Sequence, residues 1–442
     1  MRGFVTILML ALLAPVGALA AGDGPEVVTL ERVAAQTLEK NFSVLSTEAQ
    51  VLAQMKKIRK ARAALLPTVN LTGVYTRIGV VPEFEIPGFE NIKFVNPDTL
   101  NFSLGVKYNL FDWGMSRDQI KLEELGLEST QLSALLLKKG LVMQVSMLYL
   151  NILQIEEGER VILDNIAILE KILDVSRRQF DGGFVPEHQV LQTQSVLESL
   201  KAQKLQLEQA RAEMVMTLKN VSGRALDSEL ALQAVDWDER LGGMDLDPLV
   251  ERAFGQREDL MLLSKQEDIL GRTRDMIGKT RLPLVSAGLN AELRNGIMPD
   301  VEKLKMNWSV GLTVVYNLFD GNASKYEQEA LGHQLRDLEI SIEKARRDVE
   351  AAVRQGLEKM ERLGKIAELE RKRLEISRRG LELARQSFEA GQAGYLDVLN
   401  ARSNVNMAEN NVIAAKYQRY MQWLTIRNET SGLEGLVDME AK

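Results

Sequence analysis

The chain has 442 residues, of which 26% are charged and 5% aromatic, with 10 prolines and a formal net charge of −7. It contains no cysteine, which excludes disulfides, thiol catalysis and cysteine metal sites, and its two histidines, His188 and His333, are too few for a histidine-rich metal centre. Abundant charge with few aromatics and prolines fits long coiled-coil helices, and the acidic balance argues against nucleic acid, which calls for a basic footprint.

Met1–Ala20 carries one early cation, Arg2, then an apolar run from Phe4 to Ala14, and Ala18-Leu19-Ala20 before Ala21. This pattern predicts a cleavable secretory signal over residues 1–20. No later stretch reads as apolar enough for a transmembrane helix, so a membrane crossing would have to use strands.

Thr29–Leu66 reads as a short helix and then a longer one, ended by Pro67. In Thr68–Arg77, Val69, Leu71 and Tyr75 alternate with Thr68, Asn70, Thr72 and Thr76, and Val80–Thr99, with Pro82, Pro87 and Pro97, is a loop. From Asn101 to Leu110 the alternation returns. Phe102, Leu104, Val106, Tyr108 and Leu110 fall on one face, and Asn101, Ser103, Gly105, Lys107 and Asn109 on the other, the signature of a half-buried strand. Asp112 then stands where it can N-cap a helix.

Trp113 to Phe180 holds no proline, and apolar residues recur at heptad spacing: Val145, Ile152, Ile166, Leu173 and Phe180 in one seam, Leu141, Leu148, Ile155, Ile162 and Leu169 in another. A helix of that span is roughly 100 Å long at about 1.5 Å per residue, too long for a compact core. The turn Asp181-Gly182-Gly183 leads into a returning helix from about Pro186 to Val221, whose apolar stripe is broken by Lys204 and Arg211.

The same stretch then recurs. Asn317-Leu318-Phe319-Asp320 repeats Asn109-Leu110-Phe111-Asp112 with Asp320 lying 208 residues after Asp112, and Phe388 lies 208 after Phe180. The first seam maps onto Val353, Met360, Leu374, Leu381 and Phe388, and its one polar lapse, Glu159, onto Ala367. A duplication is therefore predicted: residues 21–223 form a first repeat and 224–442 a second, which opens with an equatorial segment, 224–256. The second copy offers strands over Leu284–Arg294 and Asn307–Leu318, a long helix over Ser324–Phe388, a turn at Glu389–Gly394 and a last helix over Tyr395–Thr430.

The expected fold is mainly α with membrane β: a long α-helical coiled-coil barrel continued by a β-barrel shared between protomers, four strands each. Strands of about ten residues with one apolar face suit a tilted membrane crossing. Four cannot close a barrel, and an open edge in lipid leaves backbone groups unsatisfied. Several copies must share one wall; their number stays open at this point. The alternative is a soluble α+β protein with an ordinary sheet on coiled-coil stalks.

On these landmarks the chain resembles the TolC-like outer membrane efflux protein family from Thr29 to Thr430. The matching segments are Ala61-Arg62-Ala63-Ala64-Leu65-Leu66-Pro67, the paired Asn-Leu-Phe-Asp motifs, Phe388-Glu389-Ala390-Gly391 and Tyr395-Leu396-Asp397-Val398-Leu399-Asn400. The resemblance implies a homotrimer with a twelve-strand barrel in outer membrane lipid and an α-helical tunnel in the periplasm. It implies docking to a periplasmic adaptor (membrane fusion) protein and an inner-membrane transporter of RND, ABC or MFS type. No cofactor and no catalysis are implied, and no nucleophile–base pair, nucleotide loop or metal cluster is evident in the sequence. A structural coiled-coil protein bridging the envelope without transport is the runner-up.

By the same resemblance, Gly182, Gly183 and Phe184, with Ala390, Gly391 and Gln392, occupy the adaptor-contacting tip. Asp397 matches an acidic ring at the pore constriction, and three carboxylates around an axis would favour cations. Asn400 stands where the best-known member has a second aspartate. Gln189 and Ala393 replace an acid and an arginine that latch the closed state there, so gate contacts are sought among His188, Gln189, Phe180 and Phe388.

Overall fold

The computed structural model describes residues 27–81, 83–84, 92–93, 95–235, 245–296, 300–390 and 392–431. The expected leader, 1–20, and the tip residue Gly391 lie outside them. In order, the elements are β1 (Val27–Val28), α1 (Leu30–Lys40), α2 (Phe42–Ala63), β2 (Thr68–Arg77), β3 (Glu83–Phe84), β4 (Ile92–Lys93), β5 (Asp98–Phe111), α3 (Met115–Asp181) and α4 (Glu187–Val221). There follow β6 (Ala231–Leu232), α5 (Leu246–Gln256), α6 (Glu258–Lys279), β7 (Leu284–Arg294), β8 (Lys305–Val315), α7 (Ala323–Glu389) and α8 (Tyr395–Thr430). Lengths recur in sequence: α1 and α5 have 11 residues each, α2 and α6 22, α3 and α7 67.

Four strands form one antiparallel sheet in the order β2-β5-β7-β8. Both ends of β5 and of β8 differ from the alternation pattern, and two of these differences have a visible cause. β8 stops at Val315, before Leu318, because Val315 pairs with Leu284 and the next residue of the partner strand is Pro283, which has no N–H to offer. β5 begins at Asp98, because Arg77 at the end of β2 pairs with it and the Tyr75 hydroxyl donates to its carboxylate at 2.7 Å.

The Asp112 carboxylate accepts from the backbone N–H groups of Gly114 (3.0 Å) and Ser116 (2.8 Å), where β5 turns into α3. Asp320 accepts from the N–H of Ser324 at 3.0 Å where β8 gives way to α7. Partial burial pushes the Asp112 pKa up, but the hydrogen bonds from Ser116 and Gly114 outweigh it and the net shift is downward. The sign follows: the stabilisation is complete above the ordinary carboxylate pKa and is lost as pH falls through the depressed folded value. Asp112→Ala is expected to lower stability by about 1 kcal/mol at neutral pH, and thermal denaturation should show that deficit shrinking in acid.

α3 packs along α4, and α7 along α8, as two long hairpins with α3 also touching α8. The largest buried cluster of these hairpins lies at mid-height, where β1 pairs in parallel with β6 and α1 and α5 add a further layer. There Tyr149, Leu150, Ile152, Leu218, Tyr417, Tyr420, Leu424 and Ile426 are fully buried. The Tyr149 hydroxyl lies 2.8 Å from the carbonyl of Val28 and 2.7 Å from that of Gln233, tying the small sheet to α3.

Two of the three polar breaks in the apolar stripes explain each other, while Lys204 pairs with Glu208 on its own helix. Glu159 of α3 and Arg211 of α4 face each other, with Nε to Oε1 at 3.2 Å, so the two lapses form one interhelical ion pair. Phe180, the last position of the first seam, is 41% exposed rather than packed. One sequence expectation is corrected: α3 does contain an 18-residue window long and apolar enough to span a membrane by composition. Its helix instead packs against α1, α2, α4, α6 and α8. The charge runs of α7 lie on the surface in i,i+4 pairs such as Arg347–Glu343 and Lys372–Glu368, each worth little.

Candidate functional site

The sheet reads row by row across its four strands. Leu71 pairs with Leu104, Leu104 with Ala291, and Ala291 with Trp308. The neighbouring apolar rows are Val69, Val106, Leu289, Val310 and Gly73, Phe102, Leu293, Met306. Between them lie polar rows: Thr72, Ser103, Glu292, Asn307 and Asn70, Gly105, Asn290, Ser309. Register therefore gathers the alternation of each strand into one continuous apolar face and one polar face. A Cβ on Gly73 would sit 3.1 Å from the Phe102 ring, so the glycine admits the aromatic into its row.

Among the described residues, no helix covers the apolar face. Leu71 is 77% exposed, Leu312 74% and Trp308 68%. Among the described residues, the outer edges of β2 and β8 have no partner strand. Tyr108, Trp113, Tyr316 and Trp308 are all exposed, as an interfacial position requires. Trp113 also donates its indole N–H to the Pro283 carbonyl at 2.9 Å.

At the far end of the hairpins, α3 closes in a Schellman turn. The Gly183 N–H donates to Phe180 at 2.8 Å and the Phe184 N–H to Gln179 at 2.8 Å. Gly183 has φ +74°, a conformation that strains any side chain but glycine's. The Phe184 ring lies against Gly182, where a Cβ would be 2.8 Å away, and is 84% exposed. The second tip has a matching bond from the Gln392 N–H to the Ser387 carbonyl at 2.8 Å, and Ala390 and Gln392 are exposed.

Asp397 and Asn400 are exposed one turn apart at the start of α8. The Asp397 carboxylate accepts from the Gly394 N–H at 2.9 Å, so it also fastens the first turn. The four residues singled out as gate contacts do not form one cluster. Phe388 packs edge-on against Tyr395 at 5.8 Å, while Phe180 and His188 are exposed and the Gln189 N–H donates to the Pro186 carbonyl at 3.1 Å. Contacts that the sequence reading did not single out join α8 to α3: Glu157 accepts from the Tyr417 hydroxyl at 2.7 Å and from Lys416 at 2.8 Å. Burial and the nearby Glu157 raise the Tyr417 pKa far above its usual value, so this phenol stays a donor. Nothing in the sequence pointed to these contacts, since Glu157 lies outside both apolar seams.

The sequence pattern of outer membrane efflux proteins matches residues 33–224 and 249–430, most of the chain. The protein belongs to the outer membrane efflux protein family. Its fold is shared with solved outer membrane proteins. CmeC of Campylobacter jejuni superposes with a TM-score of 0.78 at 15% identity, over 91% of this chain and 85% of CmeC. VceC of Vibrio cholerae gives 0.75 at 13% identity, over 91% and 96%. MtrE of Neisseria gonorrhoeae gives 0.71 at 17%, over 91% and 89%. No curated protein matches the sequence. As a family member the efflux protein resides in the outer membrane, and its apolar sheet face is the surface suited to lipid.

Proposed function

We propose that this efflux protein is a homotrimeric channel-tunnel that gives exported substrates an exit from an inner-membrane transporter and a periplasmic adaptor, in tripartite efflux or type I secretion. The observation that carries it is the open four-stranded sheet with one uncovered apolar face and two free edges. In lipid each free edge costs several kcal/mol per unsatisfied group, and joining the β8 edge of one copy to the β2 edge of the next removes that cost. Three copies then make a twelve-strand barrel with the polar rows inside, continued by helices about 100 Å long. The two repeats, 21–223 and 224–442, supply alternate strand pairs and hairpins, a reading supported by the recurring helix lengths.

Gly182, Gly183 and Phe184, with Ala390, Gly391 and Gln392, form the tips that meet the adaptor. Phe184, an exposed ring lying against Gly182, suits the centre of such a contact. Asp397 and Asn400 line the narrowest point of the pore. Phe180, Phe388, His188 and Gln189 set how easily the tip opens. Single-channel recording after reconstitution tests the whole reading: discrete conductance steps are expected, and a structural spacer would give none.

Asp397→Asn separates the two roles of this residue, because asparagine can still accept from Gly394 while the charge is gone. The variant is expected to keep its stability but lose cation preference and block by divalent cations. Unchanged selectivity would remove Asp397 from the pore.

A further inference from the structure

Among the described residues, seven buried side-chain polar atoms lack a hydrogen-bond partner, and three of them meet in one place: Asn165 Nδ2, Arg402 Nε and Asn406 Oδ1. All three residues line a groove of about 360 Å³ floored by α3 and walled by α4 and α8. Asn165 is 1% exposed, and its Oδ1 already accepts from Arg402, which leaves its NH₂ group free.

Arg402 has no carboxylate within ion-pair distance among the described residues. Asp164 and Glu409 act on it only at longer range, and Glu409 is held by Arg378 at 3.0 Å. Arg385 and Arg378 add positive potential, and burial works against the guanidinium's charge. A partly desolvated cation without a counter-charge is costly, and two unused donors on residues that line one cavity supply what an acceptor-only ligand needs.

We propose that this groove binds a small anion, of the halide or carboxylate kind, between Arg402 and Asn165. Ser199, Ser403 and Gln203 border the cavity and offer further donors. The Asn406 amide can turn its nitrogen inward as well. The site is separate from the tip and from Asp397, and the inference holds whether or not the protein conducts.

Crystals of the full chain soaked in bromide provide the test. Expected is an anomalous peak within hydrogen-bonding distance of the Arg402 guanidinium and the Asn165 amide, lost in Arg402→Gln. Asn165→Asp guards against misfolding, since it supplies its own carboxylate to Arg402; the peak should vanish while the groove stays intact. In solution, the excess chloride-35 line broadening seen with the wild type should be lost in both variants. Displacement of bromide by acetate would assign the carboxylate class, and persistence the halide class. No peak and no broadening in the wild type, or both undiminished in the two variants, would overturn the proposal.

Discussion

Glu258→Ala is expected to destabilise the protein by about 3–5 kcal/mol, because it strands a charged lysine in the interior. Lys139 of α3 and Glu258 at the start of α6 form a 3.2 Å ion pair whose side chains are 8% and 6% exposed. Alanine there also removes an acid from the first turn of a helix, where the macrodipole favours it. The paired change Lys139→Met with Glu258→Leu fills similar volume without leaving a charge and should restore most of the loss. Urea unfolding of the detergent-solubilised protein reads both. A single variant within 1 kcal/mol of wild type, on the order expected for an exposed pair, would show that water reaches this pair.

Leu104→Arg is the second large effect. Leu104 sits in the row with Leu71, Ala291 and Trp308 on the uncovered apolar face. An arginine on the lipid side near the membrane midplane costs roughly 2–4 kcal/mol per site, and a symmetric assembly suffers it in every copy. Ser103→Arg, one residue away on the polar face, should be tolerated. The fraction of protein recovered as folded oligomer from lipid vesicles is expected to fall sharply for the first and stay near wild type for the second. Equal recovery of both would mean that the two faces see the same solvent.

Much of this architecture was legible in the chain because proline and period marked it. Thr68–Arg77 and Leu284–Arg294 appear as read, each preceded by a proline that stops a helix and lets a strand begin. The two long helices begin and end within two residues of the heptad pattern, and the last helix matches it at both ends. What periodicity could not give is the neighbour of each strand. Alternation shows which face Leu104 occupies but not that Ala291, far along the chain, lies beside it.

The tip shows another limit. Phe180 and Phe388 are equivalent in sequence, yet only Phe388 finds an aromatic partner, because Tyr395 follows the second turn while the first is followed by Pro186 and Glu187. Likewise Glu159 and Arg211 each read as a flaw in an apolar stripe. Only the packing of α3 on α4 makes them one ion pair.

The central claim is that the free edges of β2 and β8 close on those of neighbouring copies. The chain has no cysteine, so cysteine pairs placed along β2 and β8 report that contact alone. Oxidation of the membrane-inserted protein is expected to give covalent dimers and trimers and nothing larger. Cross-linking confined within single chains, or no cross-linked species along the whole of both edges, would contradict it.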